Sequence, residues 1–130
     1  MGAIAMRHEK DPAQEIHSKV GDLKAVDLYF NQVLIGIYVR PNVTKSGIHL
    51  ADRTRDEDLY QGKVGLVLKK GPMAFKDDET MQFNGQNVAV GDWIVFRPSD
   101  GWQLSVNGTA CRVLRDIDIK ARVAAPDVIW

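Results

Sequence analysis

The sequence predicts an all-β fold, and two observations indicate it. Short segments rich in β-branched and aromatic residues follow one another from residue 32 to residue 123. Glycine, proline and asparagine turn signals separate these segments at close intervals. Only one short segment, before residue 22, carries helix signals instead. We therefore expect a small β-barrel or sandwich with one short N-terminal helix.

The composition is that of an ordinary soluble domain. A chain of 130 residues, 45% of them hydrophobic and 26% charged, predicts one domain with its own core. Because 17 basic residues balance 17 acidic ones, nothing steers the protein towards nucleic acid or an anionic membrane. The single cysteine, Cys111, excludes an internal disulfide and fits a reducing compartment. With no signal peptide or membrane-length apolar run, we expect a cytoplasmic protein.

The one helix is expected at residues 12–20. Asp11 before Pro12 is typical of a helix start, and Gly21 is a plausible stop. Ile16 and Val20 would share one face. A helix of this length is not stable alone, so it must pack on its own barrel or on a neighbouring subunit.

The remaining elements are predicted from the turn signals and the alternation of apolar residues. Residues 23–30 are either a first short strand or an extended lead-in, and residues 73–87 are expected to form a small hairpin. The predicted strands span residues 33–39, 62–68, 88–97, 102–106, 109–115 and 117–123.

A long charged loop, residues 41–61, separates the first two of these strands. A loop of this length within a compact domain is usually functional or disordered. It contains one small apolar island, Gly47-Ile48-His49-Leu50. Ile48 and Leu50 are two positions apart, so on an extended backbone they point the same way. Such a pair can insert into a groove on another protein.

The sequence shows no set of catalytic or metal-binding residues. His8, His17 and His49 are far apart, and Cys111 has no partner at metal-ligand spacing. We interpret His17 as a solvated helix residue and Cys111 as a packed or edge thiol. The carboxylates within residues 53–58 are interpreted as a solvated face. We therefore expect no enzymatic activity, no metal and no cofactor.

Trp93 and Trp102 permit two interpretations. Aromatic side chains on a small barrel can stack on the bases of single-stranded nucleic acid. No basic groove accompanies them, so we favour core packing for both and expect no nucleic-acid partner.

Residues 31–123 resemble the GroES-type co-chaperonins, the chaperonin-10 family. In that family a strand similar to 33–39 precedes a mobile loop similar to Thr44-Lys45-Ser46-Gly47-Ile48-His49-Leu50. The strand that resumes at 61–64, the Val-x-Val-Gly-Asp segment at 88–96 and the closing segment at 115–121 are also similar. One departure is His49, which replaces the usual central aliphatic residue of the binding tripeptide.

The resemblance implies a GroES-like β-barrel with a long mobile loop and a roof-type hairpin near residues 72–87. It divides the chain into an N-terminal extension with the short helix (1–30), the barrel domain (31–123) and a C-terminal tail (124–130). Extended proteins of this kind occur in bacteriophages, which makes the host cytoplasm the expected location if the chain is phage-encoded.

The resemblance also implies the function. The protein would be a heptameric co-chaperonin that caps a chaperonin ring through the mobile loop and assists ATP-dependent protein folding. Its contacts would be Gly47, Ile48, His49 and Leu50, and ATP would be bound by the chaperonin alone. The alternative is a phage virion or head-decoration protein built on the same barrel.

His49 leaves two interpretations open. A histidine at the centre of a docking tripeptide could weaken binding at mildly acid pH. Alternatively it points away from the partner, since it lies between Ile48 and Leu50, and we favour this second interpretation.

Overall fold

A computed structural model describes residues 8, 10–41, 47–49 and 63–129. Within these residues it contains one helix, six strands and one 3-10 turn. They are α1 (Pro12–Val20), β1 (Gln32–Ile37), β2 (Val64–Lys70), β3 (Trp93–Val95), β4 (Trp102–Val106), β5 (Thr109–Arg115), the 3-10 turn (Asp116–Asp118) and β6 (Ala121–Val123).

The six strands form one antiparallel sheet in the order β4-β5-β1-β2-β3-β6. β1 and β2 lie at its centre, and an irregularity in their register falls between Leu34 and Ile35. β4 and β6 are the terminal strands. The predicted all-β fold with a short N-terminal helix is confirmed.

Both faces of the central strands β1 and β2 are buried. Successive residues of a strand point to opposite faces, so Leu34 joins one core and Val33 and Ile35 the other. The first core comprises Ile16, Val20, Leu34, Tyr38, Val64, Leu66, Leu68, Trp93, Val106 and Cys111. The second comprises Val33, Ile35, Ile37, Val67, Ala74, Val88, Ile94, Phe96 and Leu114. Two-sided burial explains why β1 and β2 read as continuous apolar runs.

Helix α1 covers the first core, so it packs on its own sheet. Its start is capped by Asp11, whose carboxylate accepts a hydrogen bond from the Ala13 amide at 3.1 Å. Ile16 and Val20 are its buried residues. Gly21 ends it with φ of 66°. In the part of the chain that the structure describes, no helix has the length and apolar character needed to span a membrane.

Residues 21–31 are an extended lead-in without a strand, one of the two predicted alternatives. The lead-in is held by Lys69 on β2, whose Nζ donates to the backbone carbonyls of Leu23 and Val26.

Residues 71–92, between β2 and β3, leave the sheet as an excursion. The excursion is built from turns and contains no strand pair. The Asp78 carboxylate accepts from the amides of Thr80 and Met81, and the Asp77 carboxylate accepts from the amide of Phe83. Since these side chains occupy amides that a ladder would need, the excursion is closed by side-chain-to-backbone hydrogen bonds, including an Asx turn at Asp78. The hydrogen bond from the Thr80 backbone amide also holds the pKa of Asp78 below its usual value.

Four expectations need correction. The hairpin predicted over 73–87 is absent, since residues 71–92 contain no strand. The strand predicted over 88–97 is limited to Trp93–Val95, because the Asp92 amide donates to the Ala89 carbonyl and closes a turn before it.

The strand predicted over 117–123 is a 3-10 turn followed by the short β6, because the Asp116 and Asp118 carboxylates accept from nearby amides and end the extended run. Trp102 was predicted to be a core residue, but it is 79% exposed. It lies on the terminal strand β4, where none of the described elements covers it. Trp93, on an inner strand, is buried as predicted.

Candidate partner-binding site

The long segment between β1 and β2, residues 41–61, is attached at one end of the sheet, where its two central strands meet. The two strands are antiparallel neighbours, and Ile37 pairs with Gly65. One residue further on, the Tyr38 amide donates to the Val64 carbonyl at 3.0 Å. We call residues 41–61 the partner-binding segment. Its two attachment points are therefore held together by the central ladder of the sheet.

Tyr38 anchors the first attachment point. Its side chain is 2% exposed and packs edge-on against Trp93, with 5.6 Å between ring centroids. His8 Nε2 lies 2.7 Å from the Tyr38 hydroxyl, a hydrogen bond between the N-terminal extension and the end of β1. The sequence patterns gave no indication of this contact, because it joins residues thirty positions apart.

The structure describes three of the four predicted contact residues. Gly47 has φ of 91° with open space where a side chain would lie, Ile48 is 64% exposed, and His49 is exposed and takes part in an isolated β-bridge. Leu50 lies outside the described residues, as do the charged residues 52–58. The loop's predicted mobility and the roles of Gly47, Ile48, His49 and Leu50 stay predictions.

Among the described residues, no group of three His, Cys, Asp or Glu side chains could hold a metal ion. His17 is exposed on α1, as predicted. Cys111 is buried in β5, and burial raises the pKa of its thiol.

The opposite end of β1 is fixed by one buried carboxylate, Asp116. It accepts from Asn31 Nδ2 at 2.9 Å, from the Phe75 amide at 3.0 Å and from the Ile117 amide at 2.7 Å. These bonds tie the excursion and the last turn to the start of β1. The excursion and the partner-binding segment therefore leave the sheet at opposite ends.

Arg112 is a second buried polar residue that the sequence analysis missed. It is 1% exposed, lies on the Phe96 ring at 5.0 Å, and donates to the carbonyls of Pro98 and Asp100. It closes the turn between β3 and β4. A lone arginine in a strand pattern carries no signal for such a role.

A protein-family model described as "Chaperonin 10 Kd subunit" matches residues 26–123. The chain belongs to the chaperonin 10 family. The match takes in all six strands of the sheet and the partner-binding segment, and it leaves α1 outside.

A curated chaperonin 10 relative supports the assignment. The co-chaperonin GroES of Syntrophomonas wolfei subsp. wolfei is 35% identical over 81 residues, which cover 62% of this chain and 77% of the relative. The resemblance stated from the strand and loop motifs is thereby confirmed.

Proposed function

We propose that this protein is a co-chaperonin that caps a chaperonin ring and assists ATP-dependent protein folding. The observation that carries the proposal is the family match over residues 26–123, which includes an apolar residue, Ile48, presented to solvent between the ends of β1 and β2. Gly47, Ile48, His49 and Leu50 are the proposed contacts with the chaperonin.

Each contact would be weak. Burying Ile48 or Leu50 in an apolar groove contributes about 1.5–3 kcal/mol per side chain. Ordering a segment on binding costs a few kcal/mol, which offsets much of that gain. Several tethered copies nevertheless bind tightly, because each bound copy raises the effective concentration of the next. Weak single contacts also allow the whole lid to leave when the groove changes shape.

We propose a heptamer as the assembly that supplies those copies. β4 and β6 are the terminal strands of the sheet, and their outer edges offer backbone groups to a neighbouring subunit. The exposed side chains of Trp102 and Leu104 on β4 would add apolar area to such an interface.

In the proposed function, this chain catalyses no reaction. ATP is bound and hydrolysed by the chaperonin, and this chain carries no cofactor. The work takes place in the cytoplasm, where a folding client is enclosed under the lid.

The proposal is tested by complex formation with a chaperonin, with and without nucleotide. Wild type is compared with the double variant Ile48→Ser/Leu50→Ser. The control is Val128→Ser, which removes a half-exposed apolar side chain from the C-terminal tail. We expect a nucleotide-dependent complex for wild type and control and none for the double variant.

A wild-type chain that never binds a chaperonin, while remaining a folded oligomer, would contradict the proposal. The same barrel would then serve another purpose, and the virion-component alternative would be the next to test. A double variant that binds as well as wild type would move the contact away from residues 47–50.

A further inference from the structure

The N-terminal extension makes two contacts with the last residues of β1. We call His8 together with residues 10–20 the N-terminal strap. Ile16 of the strap lies against Gly36, and His8 bonds to the hydroxyl of Tyr38. Gly36 and Tyr38 are the last residues before the partner-binding segment whose side-chain positions face the first core.

The first contact is a close fit between Ile16 and a glycine. A Cβ on Gly36 would lie 2.6 Å from Cγ2 of Ile16 and 3.3 Å from Cδ1 of Leu68. Gly36 is a regular strand residue without positive φ, so its backbone does not require glycine. Glycine at this position therefore serves to seat Ile16, and the strap and β1 are matched to each other.

The second contact joins His8 to a buried tyrosine. The hydrogen bond to Tyr38 is 2.7 Å long, and the ring centroids are 5.9 Å apart. Tyr38 also packs edge-on against Trp93. Both contacts therefore restrain the Tyr38 side chain, three residues before Pro41, where the chain has just left β1.

The rest of the strap is suited to one-sided docking. Asn107, in the turn between β4 and β5, donates from Nδ2 to the Val20 carbonyl at 2.5 Å and fastens the far end of α1. The face of α1 that points away from the sheet is polar. It carries a Glu15–Lys19 ion pair at 2.9 Å, which lowers the pKa of Glu15. The strap is thus bound to the sheet on one side and solvated on the other.

We infer that the N-terminal strap is a positioning device for the chaperonin contact. The strap holds the end of β1 in one geometry. The partner-binding segment therefore loses less conformational entropy when it binds the chaperonin. His8 and Ile16 act through Tyr38 and Gly36, and neither touches the partner. This inference rests on the proposed function.

The test uses two strap variants in the full chain, Ile16→Ala and His8→Ala. The variant His8→Gln keeps a hydrogen-bonding side chain and tests rescue. Ser18→Ala changes the exposed face of the same helix. Val88→Ala destabilises the second core at the far end of the sheet and controls for a general loss of stability.

Two quantities are measured for each variant. Hydrogen exchange at the backbone amides of residues 38–40 reports on the end of β1, and exchange at residues 15–20 reports on strap docking. Affinity for the chaperonin in the presence of nucleotide reports on the partner contact.

We expect Ile16→Ala and His8→Ala to speed exchange at residues 38–40 and to weaken chaperonin affinity roughly fivefold or more. His8→Gln should recover part of that loss. Ser18→Ala should change neither quantity. Val88→Ala should lower the midpoint of thermal unfolding while leaving the affinity unchanged, an outcome that separates positioning from stability.

The inference is overturned if the strap undocks in Ile16→Ala, as judged by exchange at residues 15–20, while residues 38–40 and the affinity stay at wild-type values. It is also overturned if Val88→Ala weakens binding as much as the strap variants do. A wild-type chain without chaperonin affinity contradicts the proposed function and the affinity part together, and faster exchange at residues 38–40 would then support the positioning role alone.

Discussion

Asp116 and Arg112 show how single buried polar side chains hold distant segments of this chain together. Each is at most 4% exposed and bonds to backbone groups outside its own strand or turn. Arg112 closes the turn after β3, and Asp116 joins the excursion to the start of β1. Such groups are costly to disturb, because removing one partner leaves the others buried without a hydrogen bond.

Substituting Asp116 tests this directly. Asp116→Ala leaves Asn31 and the Phe75 amide without their acceptor, so we expect a loss of about 1–3 kcal/mol in the free energy of unfolding. Urea denaturation followed by tryptophan fluorescence measures it. Asp27→Ala, at an exposed position of the lead-in, is the control and should be neutral. Equal midpoints for the two variants would show that the hydrogen bonds of Asp116 do not stabilise the fold.

Cys111 gives a second residue-scale prediction. The thiol is 2% exposed and its pKa is raised by burial, so little of it is thiolate near pH 8. Alkylation by iodoacetamide should therefore be slow in the folded protein and fast in denaturant. Comparable rates in both conditions would place the thiol at an accessible surface.

At the scale of elements, the sequence predicted what local chemistry determines. The bounds of α1, β4 and β5 agree with the predicted ones, because caps and turn residues mark their ends. The 3-10 turn at 116–118 was missed, since acidic residues in an alternating pattern do not reveal that their carboxylates accept hydrogen bonds from nearby backbone amides.

Part of the candidate site could likewise be predicted from the sequence, and part could not. The apolar island at Gly47-Ile48-His49-Leu50 is visible in the sequence, as is its place between two strands. The contacts of His8 and Ile16 with β1 depend on tertiary packing across the sheet. No local pattern carries that information. The division of the chain at residues 30 and 123 stays a prediction.

Two glycines in turns allow an element-scale prediction with a built-in control. Gly101 and Gly85 both have positive φ, 81° and 77°. A Cβ on Gly101 would lie 2.5 Å from the Val113 carbonyl oxygen, whereas Gly85 faces open space. Gly85→Ala should cost about 1–2 kcal/mol for the backbone alone. Gly101→Ala should cost about 2–5 kcal/mol, because the clash in the β4–β5 region adds to that strain. Equal unfolding free energies would contradict this account of the turn.

At the scale of the whole molecule, the partner-binding segment and the excursion lie at opposite ends of the sheet. The partner-binding segment leaves from one end of β1, and the excursion is tied by Asp116 to the other. The terminal strands β4 and β6 lie at the two sides. In the proposed assembly, the sides would make the subunit contacts and one end would meet the chaperonin.

The edge of β4 provides the test of assembly. Trp102→Glu places a charge on the exposed terminal strand, which should shift the proposed heptamer to monomer while the sheet stays folded. Light scattering after size exclusion measures the mass, and circular dichroism checks the fold. Met73→Glu, at an exposed position of the excursion, should leave the mass unchanged. An intact ring for Trp102→Glu would show that β4 is not part of the interface.

The central claim is that residues 47–50 dock on a chaperonin ring. Electron cryo-microscopy of the wild-type protein mixed with a chaperonin and nucleotide tests it most directly. The account predicts a ring-shaped lid on one end of the chaperonin, with Ile48 and Leu50 of each subunit buried in its apical grooves. Density for a lid held by the β4 edge or by the excursion, or chaperonin rings without any lid at saturating concentration, would contradict it.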